Sequence, residues 1–234
     1  MKKKAITNLP DGTKIELVDY YSSFFEYYKF CEMETKEWFL KNIQSDWCIF
    51  DIGANIGYYT ILFAKLAYKG IVYAFEPTET ISKLKNNIAY YKLTNVKIFD
   101  YAFSNKSGVY KDKIFKIWGE KPEEKFYTWI TIDDFVEEYN ITKLDCIKID
   151  VDSYDFEVLQ GSLKTIERFN PYIMVELNYA LNLRNTSNTE ALHWLSHVGY
   201  SEAIVFDYDN FLLKKKSSKN FVSSNEIILR FNSK

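Results

Sequence analysis

The stretch that decides the fold is DIGANIG at residues 51–57. It joins an apolar, strand-like run at residues 47–52 to a helical pattern at residues 56–68. Gly53 lets the chain turn sharply off the strand, and Gly57 lets the start of the helix pack closely, because neither residue has a Cβ. Open α/β sheets bind nucleotide-type ligands at such a strand-to-helix junction. This stretch therefore predicts a cofactor site beside the first strand of a sheet.

Further along the chain, short apolar runs alternate with amphipathic helical stretches. This alternation is typical of βαβ units, which form a buried parallel sheet with helices on both faces. The last two strands have no helix between them and must pair as a hairpin. We therefore expect an α/β, Rossmann-like fold with a seven-stranded, mostly parallel sheet and an antiparallel last strand. The predicted strands are residues 47–52, 71–75, 96–102, 144–149, 172–177, 200–206 and 226–231, and the predicted helices are residues 56–68, 78–93, 133–139, 154–169 and 189–197.

Two segments fall outside this alternation. Residues 5–20 indicate a small hairpin, because the turn sequence LPDG at residues 9–12 separates two alternating apolar runs. Residues 104–131 are polar, lysine-rich and aromatic, which indicates an irregular inserted hairpin. We therefore expect an N-terminal hairpin and helical cap at residues 1–45, followed by a cofactor-binding domain at residues 46–234 that carries the insertion.

The composition is that of an ordinary globular protein. Of 234 residues, 47% are hydrophobic and 26% are charged, and the net charge of −2 gives no basic excess for nucleic acid. Cys31, Cys48 and Cys146 are an odd number without zinc-site spacing, which argues against a disulfide framework or structural zinc. No apolar run approaches the ~18 residues that span a bilayer. We therefore expect a cytoplasmic protein without a membrane span or a nucleic-acid partner, of unspecified oligomeric state.

An acid after the second strand supports a nucleotide-type ligand. Glu76 stands 23 positions after Gly53, where an acid accepts the hydroxyls of a ribose. Dinucleotide folds need G-x-G-x-x-G, whereas here Asp51, Asn55 and Gly57 complete a D-x-G-x-N-x-G pattern. That pattern resembles the S-adenosylmethionine loop of class I methyltransferases. A nicotinamide-dependent oxidoreductase is the alternative enzyme class.

Several blocks along the chain resemble the FkbM-type methyltransferase family in order and spacing. The resemblance covers roughly residues 45–180 and implies a Rossmann-like class I methyltransferase fold. It also implies S-adenosylmethionine-dependent O-methylation, commonly of a hydroxyl on a sugar or natural-product scaffold. The family usually shows a D-V-E-G run, whereas residues 150–153 read DVDS, which shortens the second carboxylate and loses the glycine. The matching blocks are DIGANIG at 51–57, FEP at 75–77, YAFSNKSG at 101–108, TIDDF at 131–135, IKIDVD at 147–152 and EVLQG at 157–161.

The resemblance implies roles for individual residues at the cofactor. The glycine loop would line the methionine end, and Glu76 would take the ribose. Asp100 and Ala102, at the end of the third predicted strand, would lie near the adenine. The expected cofactor-binding residues are Asp51, Gly53, Asn55, Gly57, Glu76, Pro77, Asp100 and Ala102.

Methyl transfer to an alcohol needs alignment and a general base. The candidates are acids at the ends of later strands, namely Asp150, Asp152 and Glu176. Two close carboxylates push one pKa upward, which suits a base near neutral pH, and Asp150 is the first choice. Both aspartates can instead cap the following helix. His193 is a fourth candidate, although with His197 it can equally belong to an ordinary surface helix.

Two further alternatives stay open. A divalent cation on Asp150, Asp152 and either Glu176 or Asn178 is not favoured, although oxygen ligands suit Mg²⁺. The second alternative is a non-catalytic binding module on the same scaffold, because a fold by itself does not establish activity. The expected partner of an active enzyme is a small molecule or glycan with a hydroxyl group, whose identity the sequence does not specify.

Overall fold

The computed structural model describes residues 4–22, 31–116, 124–215 and 227–230. Within this part of the chain, a 3-10 helix (Tyr179–Arg184) accompanies the regular elements. The helices are α1 (Met33–Asn42), α2 (Tyr58–Leu66), α3 (Ile81–Tyr91), α4 (Ile132–Glu138), α5 (Asp155–Gln160), α6 (Leu163–Phe169) and α7 (Asn188–His197). The strands are β1 (Ala5–Asn8), β2 (Lys14–Leu17), β3 (Cys48–Ile52), β4 (Ile71–Phe75), β5 (Val96–Phe99), β6 (Ala102–Phe103), β7 (Gly108–Lys113), β8 (Glu124–Ile130), β9 (Cys146–Ile149), β10 (Tyr172–Glu176), β11 (Tyr200–Phe206), β12 (Asn210–Lys215) and β13 (Ile227–Arg230).

The central sheet has the strand order β13-β11-β12-β10-β9-β3-β4-β5 in the described residues. Strands β5, β4, β3, β9 and β10 are paired in parallel, β12 runs antiparallel between β10 and β11, and β13 pairs antiparallel with β11. The predicted α/β class, with a mostly parallel sheet and a reversed last strand, is confirmed.

The prediction missed one strand of this sheet. It placed a lysine-rich loop around residues 214–216, whereas Asn210–Lys215 forms β12. Positive φ angles at Asp207 and Tyr208 reverse the chain between β11 and β12. This turn contains no glycine or proline, and its only turn-forming residues are aspartate and asparagine, which also occur in many other places in this chain.

The strand register determines which side chains share a face of the sheet. Asp51 pairs with Lys148, and Lys148 pairs with Met174 on β10. Since side chains alternate with a period of two, Asp150 and Glu176 lie on the same face, one pleat further on. Four polar side chains thus meet near the carboxyl ends of three neighbouring strands.

Aromatic residues fill the core on both faces of the sheet. On the face with Lys148, Phe39 of α1 packs edge-on against Phe63 of α2, with ring centroids 4.7 Å apart. On the opposite face, Phe75 packs edge-on against Phe135, at 4.8 Å. Each fully buried ring stabilises the fold by about 1.5–3 kcal/mol relative to an exposed one. The sheet is therefore covered on both sides, as parallel sheets require.

The hairpin predicted at residues 5–20 is present, since β1 and β2 pair antiparallel. Buried Asn87 of α3 connects its end to the glycine loop: its amide nitrogen donates to the carbonyls of Asp19 (2.7 Å) and Ile56 (2.8 Å). The division of the chain into a cap and a cofactor-binding domain stays a prediction.

Two of the predicted elements are divided in the structure. The strand predicted at residues 96–102 ends at Phe99, and Ala102–Phe103 joins a separate sheet of order β6-β8-β7, in which β7 and β8 form an antiparallel pair. The helix predicted at residues 154–169 is divided at Gly161, where a Cβ would lie 2.3 Å from the carbonyl oxygen of Ser104. Glycine is required there because two backbone segments meet. No helix in the described part of the chain is long and apolar enough to cross a membrane.

Candidate active site

A cavity opens at the carboxyl ends of β3, β4, β9 and β10, where open α/β sheets bind ligands. The structure brings most of the predicted site residues together here. The predicted residues that line the cavity are Asp51, Gly53, Asn55, Glu76, Pro77, Ala102, Asp150, Asp152 and Glu176.

The glycine loop is held tightly against its neighbours. Gly53 has a φ of +84°, and a Cβ there would lie 1.8 Å from the carbonyl oxygen of Asp150. The N–H groups of Gly53 and Ala54 both donate to the carbonyl of Phe75, at 3.1 and 2.9 Å. Asn55 has a φ of +50°, and its buried side-chain oxygen has no protein partner in the described residues. The loop thus presents backbone and an unused acceptor to the cavity.

Gly57 has a different reason to be glycine. It caps α2 with a φ of +92°, and a Cβ there would approach Leu84 of α3 at 2.7 Å. Its place is at the contact between two helices, and it is not among the described residues that line the cavity. Of the predicted loop residues, Gly53 and Asn55 are on the cavity wall, and Gly57 supports the loop from behind.

Glu76 is buried and connects three parts of the site. Its Oε2 accepts the N–H of Asn55 (3.1 Å), and its Oε1 accepts the N–H of Thr78 (3.1 Å). Lys116, from the connection that follows β7, donates to the same Oε1 at 2.8 Å. Sequence reasoning missed Lys116, which looked like one of several solvated lysines in a polar insertion.

Asp100 and His193 lie outside the cavity. Asp100 is exposed because β5 ends before it, while the next residues, including Ala102, turn into the cavity. His193 is exposed because α7 turns Ala191 and Leu195 toward the core. The structure does not bring either predicted side chain to the site.

A buried lysine lies at the centre of the cluster of acids. The ammonium group of Lys148 donates to Oδ2 of Asp150 at 2.7 Å and lies 4.7 Å from the centre of the Tyr59 ring. Burial by itself lowers the pKa of a lysine, but the carboxylates of Asp150, Asp51 and Glu32 outweigh it and hold the pKa of Lys148 above its usual value. Lys148 is not among the predicted site residues, although a lysine inside the apolar run CIKI is a detectable signal in the sequence.

Further acids face the same space. Burial raises the pKa of Glu176 well above its usual value, and the nearby Asp150 carboxylate adds to the effect. Burial also raises the pKa of Glu32, whose Oε2 accepts a hydrogen bond from the Tyr59 hydroxyl at 2.8 Å. Glu32 and Asp209 line the cavity but come from segments without a motif, so sequence reasoning could not find them.

Asp152 occupies a strained turn. Its φ is +63°, and the N–H of Ser153 donates to the carbonyl of Val151 at 2.8 Å, so the turn spans only three residues. A non-glycine residue in such a conformation costs ~1–3 kcal/mol and is most often found at functional sites. Ser153, which stands where the family usually has glycine, is buried and has no positive φ. Serine is therefore tolerated there without backbone strain.

Asp51 is fully buried beneath the loop. The Thr60 hydroxyl donates to its Oδ2 at 2.5 Å, while Oδ1 has no protein partner in the described residues. Burial raises the pKa of Asp51 to about 6, although Lys148 and Thr60 partly oppose the shift.

Replacing Asp51 with asparagine therefore changes the pH dependence of stability. Because the pKa is raised on folding, Asp51 stabilises the fold when protonated, and this contribution is lost as the pH rises from about 4 to about 6. Relative to Asp51→Asn, the wild type should lose on the order of 2–3 kcal/mol of unfolding free energy between pH 4 and pH 7. Urea unfolding at both pH values measures this difference. If the wild type and Asp51→Asn differ in unfolding free energy by the same amount at both pH values, the raised pKa of Asp51 is contradicted.

Among the described residues, no group of three or more histidine, cysteine, aspartate or glutamate side chains is arranged to hold a metal ion. The acids of the cavity surround an ammonium group instead.

The strand order and the cavity over the glycine loop define a class I methyltransferase fold. A comparison with family models gives the family itself. The model described as "Methyltransferase FkbM domain" matches residues 51–202, which is more than half of the chain. The chain therefore belongs to the FkbM methyltransferase family.

The individual relatives share only a small part of their sequence with this chain. A hexuronic acid methyltransferase, AglP of Haloferax volcanii, is 26% identical over 155 residues, which is 63% of each chain. The structure of a methyltransferase FkbM from Methylobacillus flagellatus is 15% identical with a TM-score of 0.55, over 74% of this chain and 44% of that one. A putative methyltransferase of Streptococcus mutans in complex with SAH is 13% identical with a TM-score of 0.50, over 78% and 95%. The chain thus spans less than two thirds of the first two relatives, and both structures support the fold alone.

Proposed function

We propose that this protein uses S-adenosylmethionine to methylate a hydroxyl of a sugar, glycan or natural-product-like small molecule. The observation that carries the proposal is the cavity in which the Gly53 loop, Glu76 and the acids after β9 and β10 meet. Family membership supports methyl transfer, and the hexuronic acid methyltransferase among the relatives supports a carbohydrate acceptor.

The residues present fit the cofactor. The unpartnered oxygens of Asp51 and Asn55 are available acceptors for the donors of an amino-acid moiety, and Glu76 is placed to accept ribose hydroxyls. We assign Ala102 and its neighbours Tyr101 and Phe103, which also line the cavity, to the adenine. When bound, the cofactor supplies a methyl group that its sulfonium has already activated.

The protein then needs to align the acceptor oxygen and remove its proton. Alignment can lower the barrier by ~7–11 kcal/mol, while a general base contributes ~10²–10⁴-fold. We assign the proton transfer to Asp150, with Glu176 as the second candidate. Both carboxylates face the cavity on the same side of the sheet, and Lys148 fixes the position of Asp150.

Incubation with isotopically labelled S-adenosylmethionine and a panel of glycans and small-molecule alcohols tests the function. We expect a labelled methyl ether, detected by mass spectrometry of the product. Absence of product together with absence of S-adenosylhomocysteine binding would refute the proposal.

We also propose a cytoplasmic location, which is supported by the three free cysteines.

Glu76→Gln should weaken S-adenosylhomocysteine binding by about tenfold or more, because a charge-assisted hydrogen bond contributes ~1.5–3 kcal/mol and the amide keeps only one acceptor oxygen. Isothermal titration calorimetry measures the effect. The matched control is Glu79→Gln, since Glu79 also pairs with a lysine, Lys125, but is exposed. Equal affinities for the two variants would contradict the ribose assignment.

A further inference from the structure

We infer that the acceptor site excludes anionic acceptors, and that its substrate is an uncharged or amino-bearing alcohol without a carboxylate or phosphate near the reacting hydroxyl. This inference rests on the proposed function and narrows its substrate class. It also separates this protein from its hexuronic acid methyltransferase relative, whose named substrate carries an acid group.

The first observation is the charge of the cavity wall. Carboxylates outnumber ammonium groups among the described lining residues, and no arginine or histidine contributes. The acids are Glu32, Asp51, Glu76, Asp150, Asp152, Glu176 and Asp209, and the bases are Lys116 and Lys148.

The second observation is that both ammonium groups are already paired with carboxylates. Lys148 donates to Asp150 at 2.7 Å, and Lys116 donates to Glu76 at 2.8 Å. An anionic acceptor would therefore meet no unpaired positive charge on the described wall. An anion that approaches an ionised carboxylate in a binding site costs several kcal/mol, and an acid whose pKa burial raises supplies no positive charge in its neutral form.

Several of these acids lie together at the end of the cavity where we place the acceptor. Glu176 ends β10, and Asp209 precedes β12, its antiparallel neighbour. Glu32 reaches the same space from the segment before α1, where Tyr59 holds it at 2.8 Å. These three acids, with Asp150, form what we call the acidic end of the cavity. Burial raises the pKa of Glu176, of Glu32 and of Asp209, and the nearby Asp150 carboxylate adds to the effect on each.

A separate observation concerns the cofactor, to which we assign the free oxygen of Asp51. Asp51 is fully buried and lines the cavity, and its Oδ1 lacks a protein partner in the described residues. The cofactor, with two positive groups and one negative group, offsets only one of the surrounding charges. The remaining carboxylates are suited to accept hydrogen bonds from sugar hydroxyls or from an ammonium group.

The test uses the full chain saturated with S-adenosylhomocysteine and three sugar probes at equal ionic strength. The probes are methyl glucoside, methyl glucuronide and glucosamine, and saturation-transfer difference NMR with competition gives their relative affinities. We expect the glucoside and glucosamine to bind and the glucuronide to bind at least about tenfold more weakly. Glu176→Gln and Asp209→Asn should each narrow that gap, while the exposed control Glu138→Gln should leave it unchanged.

Equal or tighter binding of the glucuronide would overturn the inference, and so would a gap that both cavity variants leave unchanged. Binding of none of the three sugars to protein that still binds S-adenosylhomocysteine would also overturn it, while leaving the cofactor site intact. Failure of the wild type to bind S-adenosylhomocysteine would instead refute the proposed function, so the two failures are distinguishable.

Discussion

Gly53→Ala is expected to abolish S-adenosylhomocysteine binding and to lower the free energy of unfolding by more than about 3 kcal/mol. A Cβ at this position would lie 1.8 Å from the carbonyl oxygen of Asp150, a backbone atom of the neighbouring strand. The loop and β9 would have to separate, which disrupts the wall that holds both the cofactor loop and the acids. Calorimetry and urea unfolding measure the two effects.

Gly12→Ala is the matched control for this substitution. Gly12 has a φ of +82°, nearly the value of Gly53, but nothing lies within 4 Å of its Cβ position. Its substitution therefore carries only the conformational cost of a positive φ, about 1–2 kcal/mol, and should leave cofactor binding intact. Similar losses in the two variants would show that backbone conformation, and not the contact with Asp150, explains the requirement for glycine.

Asp150→Asn should reduce turnover ~10²- to 10⁴-fold while it leaves S-adenosylhomocysteine binding within a few-fold of the wild type. The asparagine keeps the shape of the side chain but cannot take up a proton. Turnover is measured with an acceptor identified by mass spectrometry of the methylated product.

The control for this variant is Asp145→Asn, at the opposite end of β9. Asp145 accepts the N–H of Cys48 at 2.7 Å and is not among the described residues that line the cavity. Its substitution should lower stability slightly and leave turnover nearly unchanged. Undiminished turnover of Asp150→Asn would exclude Asp150 as the base and leave Glu176 as the candidate base.

Much of the fold could be predicted because its signals are local. The strand at residues 48–52 is buried throughout, so it appears in the sequence as an apolar run that only Asp51 interrupts and that the glycine loop closes. Strand β12 escaped prediction because its turn has positive φ at Asp207 and Tyr208 without a glycine. The sequence predicts a strand or helix well wherever a local pattern of apolar residues and glycines marks that element and its end.

The site was predictable only where a motif lies on the strand tips. Asp51, Gly53 and Glu76 each follow from such a motif, and the structure brings them together at the cavity. Asp100 lies outside the cavity because β5 ends at Phe99, three residues before the predicted end of that strand, so Asp100 does not follow the alternation of the strand. Glu32 depends on packing between distant segments, which no local pattern encodes, whereas Lys148 stands out in the sequence as a lysine inside a buried apolar run.

The most direct test of the central claim is a calorimetric titration of the wild-type chain with S-adenosylhomocysteine and, separately, with NADH. We predict saturable binding of one S-adenosylhomocysteine per chain and no binding of NADH, because the loop at residues 51–57 lacks the dinucleotide spacing. Binding of NADH without binding of S-adenosylhomocysteine, or binding of neither, would contradict the account.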